Sequence, residues 1–191
     1  MLKLILASNS PRRKKILTEM GLDFQVVPSE YDEKLENDDF KYEKIEDIAT
    51  QKCLDVVRKV NTNCLVLAAD TVVVLHNKIL GKPHTEEKAF EMLKNLSGAT
   101  HSVVTAICAI NTKTNRAATI STTSYVRFTK WTDEMIKSYI DEFNPLDKAG
   151  SYGIQELPPN YIDKFEGSFE NIVGICPEAV NTVLKNLNYF N

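Results

Sequence analysis

Apolar positions follow two rhythms along this chain. Short unbroken runs alternate with stretches in which they recur every three to four residues, the pattern of strands and helices taken in turn. Residues 2–7 are the first apolar run and predict a strand. The polar Ser8-Asn9-Ser10 follows, and residues 11–17 open a helix that stops near Gly21. Ser10 is placed to cap this helix, and Pro11 suits its first position. Residues 24–27 predict a second strand, and the acidic stretch 30–39 a loop. Over residues 43–60, Ile45, Ile48, Ala49, Cys53, Val56 and Val60 make one apolar stripe of a helix. Residues 64–69 are apolar throughout and end at Asp70, as expected of a strand buried on both faces. Residues 72–75 and 78–80 flank His76-Asn77, which reads as a hairpin turn.

The second half continues the alternation. Residues 85–96 predict a helix closed by Gly98, and residues 103–110 and 118–128 two long strands around a polar turn. Residues 132–143 predict a helix whose first turn, Asp133-Glu134, suits the helix dipole. A loop over 144–153, short strands at Ile162 and at Ile172-Val173, and a last helix over 177–187 complete the pattern. No repeat, low-complexity segment or linker interrupts it, so residues 1–191 read as a single domain. Helices and strands in this order predict an α/β fold with a layered sandwich.

Composition removes several function classes. The chain has 191 residues, 43% hydrophobic and 26% charged, an ordinary globular balance. No apolar run is long enough to cross a membrane. The apolar start is too short for a signal peptide and lacks a basic leader, so a cytoplasmic protein is expected. A net charge of −3 opposes a general nucleic-acid binder, and the basic cluster Arg12 to Lys15 carries no interleaved aromatics. Cys53, Cys64, Cys108 and Cys176 show no C-x-x-C spacing and read as reduced thiols. His76, His84 and His101 lack zinc spacing, and neither H-E-x-x-H nor G-x-S-x-G occurs. Met92 and Trp131 read as packing residues.

Charge in unexpected places supplies the candidate chemistry. The stretch from Ser8 to Arg13 joins a strand to a helix N-terminus, where free N–H groups and the dipole attract anions. Arg12 and Arg13 add forked donors suited to phosphate, and a capped helix with solvated arginines is the other reading. Lys52 falls inside an apolar stripe, so it either snorkels to water or meets an anion. Asp70 at a buried strand end either caps a turn or binds a metal ion or activates water. Lys82, between Gly81 and Pro83, is a restricted loop lysine or a ligand group. The loop from Asp147 to Gln155 holds two glycines, which permit close ligand approach, and one ion-pair candidate. Glu33 cannot be singled out by charge from Glu30, Asp32 and Glu36.

Several stretches, in order, resemble one family. They are Ser8-Asn9-Ser10-Pro11-Arg12-Arg13, Ala69-Asp70-Thr71-Val72-Val73, Gly81-Lys82-Pro83, and Leu96-Ser97-Gly98 with His101-Ser102-Val103. Asp147-Lys148-Ala149-Gly150-Ser151-Tyr152-Gly153-Ile154-Gln155 and the late Gly167-Ser168-Phe169-Glu170-Asn171-Ile172-Val173-Gly174 continue the series. Nearly the whole chain is similar to the Maf (septum formation protein) family of nucleotide pyrophosphatases. The resemblance implies an α/β/α arrangement around a twisted mixed sheet with a deep cleft, as in related inosine-triphosphatase-like proteins, and a homodimer. It implies hydrolysis of a nucleoside triphosphate to the monophosphate and pyrophosphate with a divalent metal, magnesium first and manganese as the alternative, and an associated effect on cell division.

By the same resemblance, Asp70 matches the general base or metal-associated carboxylate and Glu33 a second carboxylate at the metal. Ser8, Arg12, Lys52 and Lys82 match positions lining the triphosphate. Arg13, Thr71 and Gln155 match positions linked to base choice. A loop ending Gly-Ile-Gln resembles the branch acting on dTTP and UTP, with modified pyrimidine nucleotides as further candidates. The branch acting on 7-methyl-GTP tends to carry Glu there. An amide both donates and accepts, as a pyrimidine edge requires, whereas a carboxylate only accepts. The alternatives are another preferred base and a non-catalytic nucleotide-binding regulator of division. The chain departs from the family pattern at Glu156-Leu157-Pro158-Pro159, where glycines are common, and at Gly174-Ile175-Cys176-Pro177, in place of Gly-Leu-Pro.

Overall fold

The computed structural model describes residues 2–32 and 39–190, so Glu33 lies outside the described residues. A mixed sheet carries the chain. β1 (Lys3–Leu6) runs parallel to β2 (Phe24–Val26) on one side and to β3 (Cys64–Leu75) on the other. β4 (Lys78–Leu80) folds back on the end of β3. β5 (Thr100–Asn111), β6 (Arg116–Phe128) and β7 (Ile162–Glu166) extend the sheet beyond β3, each antiparallel to the strand before it. The order is β2-β1-β3-β5-β6-β7, with β4 beside β3. Parallel neighbours need crossovers, and α1 (Pro11–Glu19) and α2 (Tyr42–Val57) supply them. α3 (Glu86–Leu96), α4 (Asp133–Phe143), α5 (Phe169–Val173) and α6 (Pro177–Asn186) complete the helices.

Local chemistry accounts for the boundaries. Ser10 caps α1 by accepting from the Arg13 amide at 3.4 Å, with Pro11 in the first turn. Thr85 and Thr132 cap α3 and α4 in the same way. His76 and Asn77 both take positive φ, 48° and 63°, as a two-residue hairpin between β3 and β4 requires.

Alternation along β3 sets the layers. Leu65, Leu67 and Ala69 face α1 and α6, packing with Ile16, Leu17, Val180 and Leu184. Val66, Ala68 and Val72 face the opposite side and pack with Ile45, Ala49, Cys53 and Val56 of α2. Val73 and Leu75 join a third cluster with Leu93 and Leu96 of α3, Ile136 and Ile140 of α4, Phe128 and Trp131. Helices therefore cover both faces, the α/β/α arrangement expected. Among the described residues no helix is long and apolar enough to cross a membrane.

Two expectations are corrected. Asp70 does not end a strand: β3 runs unbroken from Cys64 to Leu75, because β5 pairs with it from Leu65 to Val74 and places Ala106 opposite Asp70. A single carboxylate cannot stop a ladder held on its far side. Ile172 and Val173 are helical rather than extended. Ser168 caps their turn by accepting from the Asn171 amide, and Gly174, at φ 138°, ends it.

On the flank away from β5, β3 outruns its neighbours β1 and β4. Its pairing with β1 ends at Leu67, where the Ala7 amide donates to the Leu67 carbonyl at 2.8 Å. Its pairing with β4 begins at Val73. On that flank no strand pairs with residues 68–72 among the described residues, and Asp70 stands in this window.

Candidate functional site

A cleft of about 400 Å³ opens at the window. The loop after β1 supplies Ser8, Asn9 and Ser10, the first turn of α1 supplies Arg12, and β3 supplies Asp70 and Thr71. Lys52 enters from α2, Lys82 from the segment after β4, and Lys148 and Gln155 from the loop after α4. Five cations line the cleft among the described residues, Arg12, Arg13, Lys52, Lys82 and Lys148, against the carboxylates Asp70 and Asp147. A pocket of this charge attracts a polyanion.

Adjacent strand residues point to opposite faces, and this separates Asp70 from Thr71. Asp70 turns toward α2, where its Oδ1 accepts from Lys52 Nζ at 2.7 Å. Both residues are buried, Lys52 to 7% and Asp70 to 2% exposure. The apolar stripe of α2 thus directs its lysine inward to a carboxylate, and each charge offsets the other's desolvation.

Thr71 turns toward α1. The Arg13 guanidinium donates to Thr71 Oγ1 at 3.1 Å, to Ser8 Oγ at 3.3 Å and to the Gly174 carbonyl at 2.9 Å. Thr71 Oγ1 also donates to the Gly174 carbonyl at 3.2 Å and contacts Thr105 Oγ1 at 2.9 Å. Thr105 reaches the Asn171 carbonyl, and the fully buried Asn171 amide donates to the Val103 carbonyl and Ser124. Arg13 and Thr71 are therefore built into the cleft wall, tying the loop after β1 to the turn after α5.

The far wall is the loop after α4. Gly150, at φ 67°, donates to the Gly81 carbonyl and sits against Val73. A β-carbon there would come within 3.0 Å of three Val73 side-chain atoms. Tyr152 lines the cleft, and its hydroxyl meets His101 Nε2 at 2.7 Å. Burial pushes His101 down to about 3 and raises the Tyr152 phenol, so both are neutral near pH 7. Gln155 is exposed at the rim.

Ser8, Arg12, Arg13, Lys52, Asp70, Thr71, Lys82 and Gln155, the candidates singled out in the sequence, all line this one cleft. Glu33 falls outside the described residues, two positions after the cleft-lining Tyr31. Lys148 was not singled out: it lies in a loop, where no periodicity marks burial, yet it is only 8% exposed. Its ion pair with Asp147, at 3.3 Å, is the pairing the loop sequence offered. No group of three or more metal-ligating side chains occurs among the described residues.

The family model described as Maf-like protein matches residues 3–187. A dTTP/UTP pyrophosphatase of Clostridium perfringens (strain SM101 / Type A) is 39% identical over 188 residues, covering 97% of both chains. A dTTP/UTP pyrophosphatase of Acetivibrio thermocellus is 40% identical over 192 residues, covering 97% of this chain and 96% of the other. The Staphylococcus aureus Ham1 protein superposes with a TM-score of 0.52 at 15% identity, covering 99% of this chain and all of that one, and so shares the fold. The six motif stretches in their order and a match running almost from end to end make this chain a member of the Maf-like protein family.

Proposed function

We propose that this protein is a nucleoside triphosphate pyrophosphatase that hydrolyses dTTP and UTP to the monophosphate and pyrophosphate. The observation that carries the proposal is the cluster of five cations around the buried Asp70 in a single cleft. The naming of relatives near 40% identity as dTTP/UTP pyrophosphatases supports the substrate class.

In this reading Arg12, Lys52 and Lys82 neutralise the triphosphate and hold the departing pyrophosphate. Ser8 adds a hydroxyl donor at the mouth of α1. Asp70 orients or deprotonates the water that attacks the α-phosphorus, and Lys52 keeps its carboxylate in place. Arg13 and Thr71 serve the base side through the wall they build, and Gln155 presents an amide to the base edge. Rigid positioning and charge stabilisation are the protein's share of the catalysis.

A divalent ion belongs to the same proposal. The donor set fits a hard cation: one buried carboxylate in a phosphate-attracting cleft is what magnesium uses when phosphate oxygens and water fill its other positions. Asp70 would hold it, with Glu33 as the second carboxylate, and manganese would suit the same oxygens. When bound, the ion offsets repulsion between carboxylate and phosphate and polarises the phosphate. A homodimer is part of the same reading, and sedimentation velocity tests it.

The test is a panel of common and modified nucleoside triphosphates with magnesium, following pyrophosphate. Release from dTTP and UTP ahead of the others is expected. Nucleotide binding without pyrophosphate release would replace this function by that of a regulator.

A further inference from the structure

The departure at Glu156 has a defined place in the structure. Its carboxylate Oε2 lies 3.4 Å from Lys148 Nζ and accepts the Tyr139 hydroxyl, also at 3.4 Å. That hydroxyl in turn accepts the Gly153 amide at 3.0 Å. The Glu156 amide closes the turn by donating to the Gly153 carbonyl at 2.9 Å. Gln155 Nε2 and Glu156 Oε2 each lie 2.9 Å from the point a Gly153 β-carbon would occupy, so the two side chains share one small space. The Glu156 side chain is 26% exposed and that of Lys148 9%, so the grip is mostly shielded from water.

We infer that Glu156 is a positioning residue for base selection: by gripping Lys148 and Tyr139 it fixes the turn that presents Gln155 to the cleft. The inference rests on the reading of Gln155 as the side chain that meets the base. Glycine at position 156 could close the same turn but could hold neither the ammonium nor the phenol. The grip therefore ties Gln155 to two buried side chains, one on α4 and one on the cleft wall. It also neutralises a wall cation that the exposed Asp147 alone would leave under-compensated.

Three variants test it: Glu156→Ala, Glu156→Gln, which keeps an acceptor for Tyr139, and Tyr139→Phe, which removes only the hydroxyl. The readouts are kcat and KM for dTTP, UTP, dCTP and dGTP, and the inhibition constant of inorganic tripolyphosphate, a probe with no base. Glu156→Ala is expected to raise KM for dTTP and UTP about tenfold, the scale of one or two lost hydrogen bonds. The preference over dCTP falls with it, kcat stays within about twofold, and tripolyphosphate binds no more weakly than before. Glu156→Gln recovers most of the preference, and Tyr139→Phe shifts it in the same direction as Glu156→Ala, giving an independent result should the alanine variant fail to fold. An unchanged order of nucleotides in Glu156→Ala and Tyr139→Phe overturns the inference, as does tripolyphosphate weakening in step with dTTP. Failure of the wild-type protein to release pyrophosphate from any nucleotide would instead remove the function on which the inference stands.

Discussion

Lowering the pH tests the burial of His101. The ring is 2% exposed and packed edge-on against Phe128 and Tyr152, with centroids 4.8 and 5.4 Å away. Its Nε2 meets the Tyr152 hydroxyl, and its Nδ1 has no hydrogen-bond partner among the described residues. A charge placed there would be poorly solvated, which lowers the folded-state value from 6.5 to about 3. Between those values the unfolded chain binds a proton that the folded chain refuses. Stability from this group is therefore complete above the unfolded value and is lost as pH falls from about 6.5 toward about 3. Going from about pH 7.5 to about pH 5 should remove about 2 kcal/mol, or roughly 4–8 °C in Tm for a chain of this size. Urea unfolding of the wild type and of His101→Gln at both pH values isolates the effect, since every other titration is common to the two. The variant should lose about 2 kcal/mol less than the wild type over this interval. Equal losses would show that His101 accepts its proton in the folded state and refute the burial argument.

Three further outcomes are expected. Asp70→Asn should lower turnover by at least ~10²-fold, the scale for a positioned base, with an unchanged circular dichroism spectrum; near-normal turnover would remove Asp70 from the mechanism. Gln155→Glu should weaken dTTP and UTP hydrolysis relative to the other nucleotides, because a carboxylate cannot donate to the base, and steady-state rates over the panel check it. Gly150→Ala should destabilise the fold by about 2–4 kcal/mol in urea unfolding, adding left-handed strain to a collision with Val73; a loss under about 0.5 kcal/mol would mean that the loop moves freely away from β3.

Periodicity made much of the fold legible. The α2 stripe, the apolar run of β3 and the polar turns reported burial directly, and Lys52 stood out because a charge broke a stripe. The end of β3 was misread because Asp70 is the charged residue that breaks an apolar run. Only pairing with β5, set by residues some forty positions away, shows that the strand continues. Ile172 and Val173 misled because two β-branched residues favour a strand locally, whereas a capping serine and a terminal glycine decide the turn. Within the site, motif order located the cleft residues, but nothing local told apart Arg12 from Arg13. Their division depends on where the Gly174 carbonyl and the Thr71 hydroxyl come to lie. Lys148 was hidden for a related reason: loops bury side chains without rhythm.

The flank of β3 between its two short neighbours has one more consequence. Among the described residues β1 and the β4 hairpin border the same opening without pairing with each other, and the strand they share is β3, backed by β5 from Leu65 to Val74. Drift in loop length on either border can then re-sculpt the mouth for new ligands while the acidic residue at its centre keeps its station on an unbroken spine.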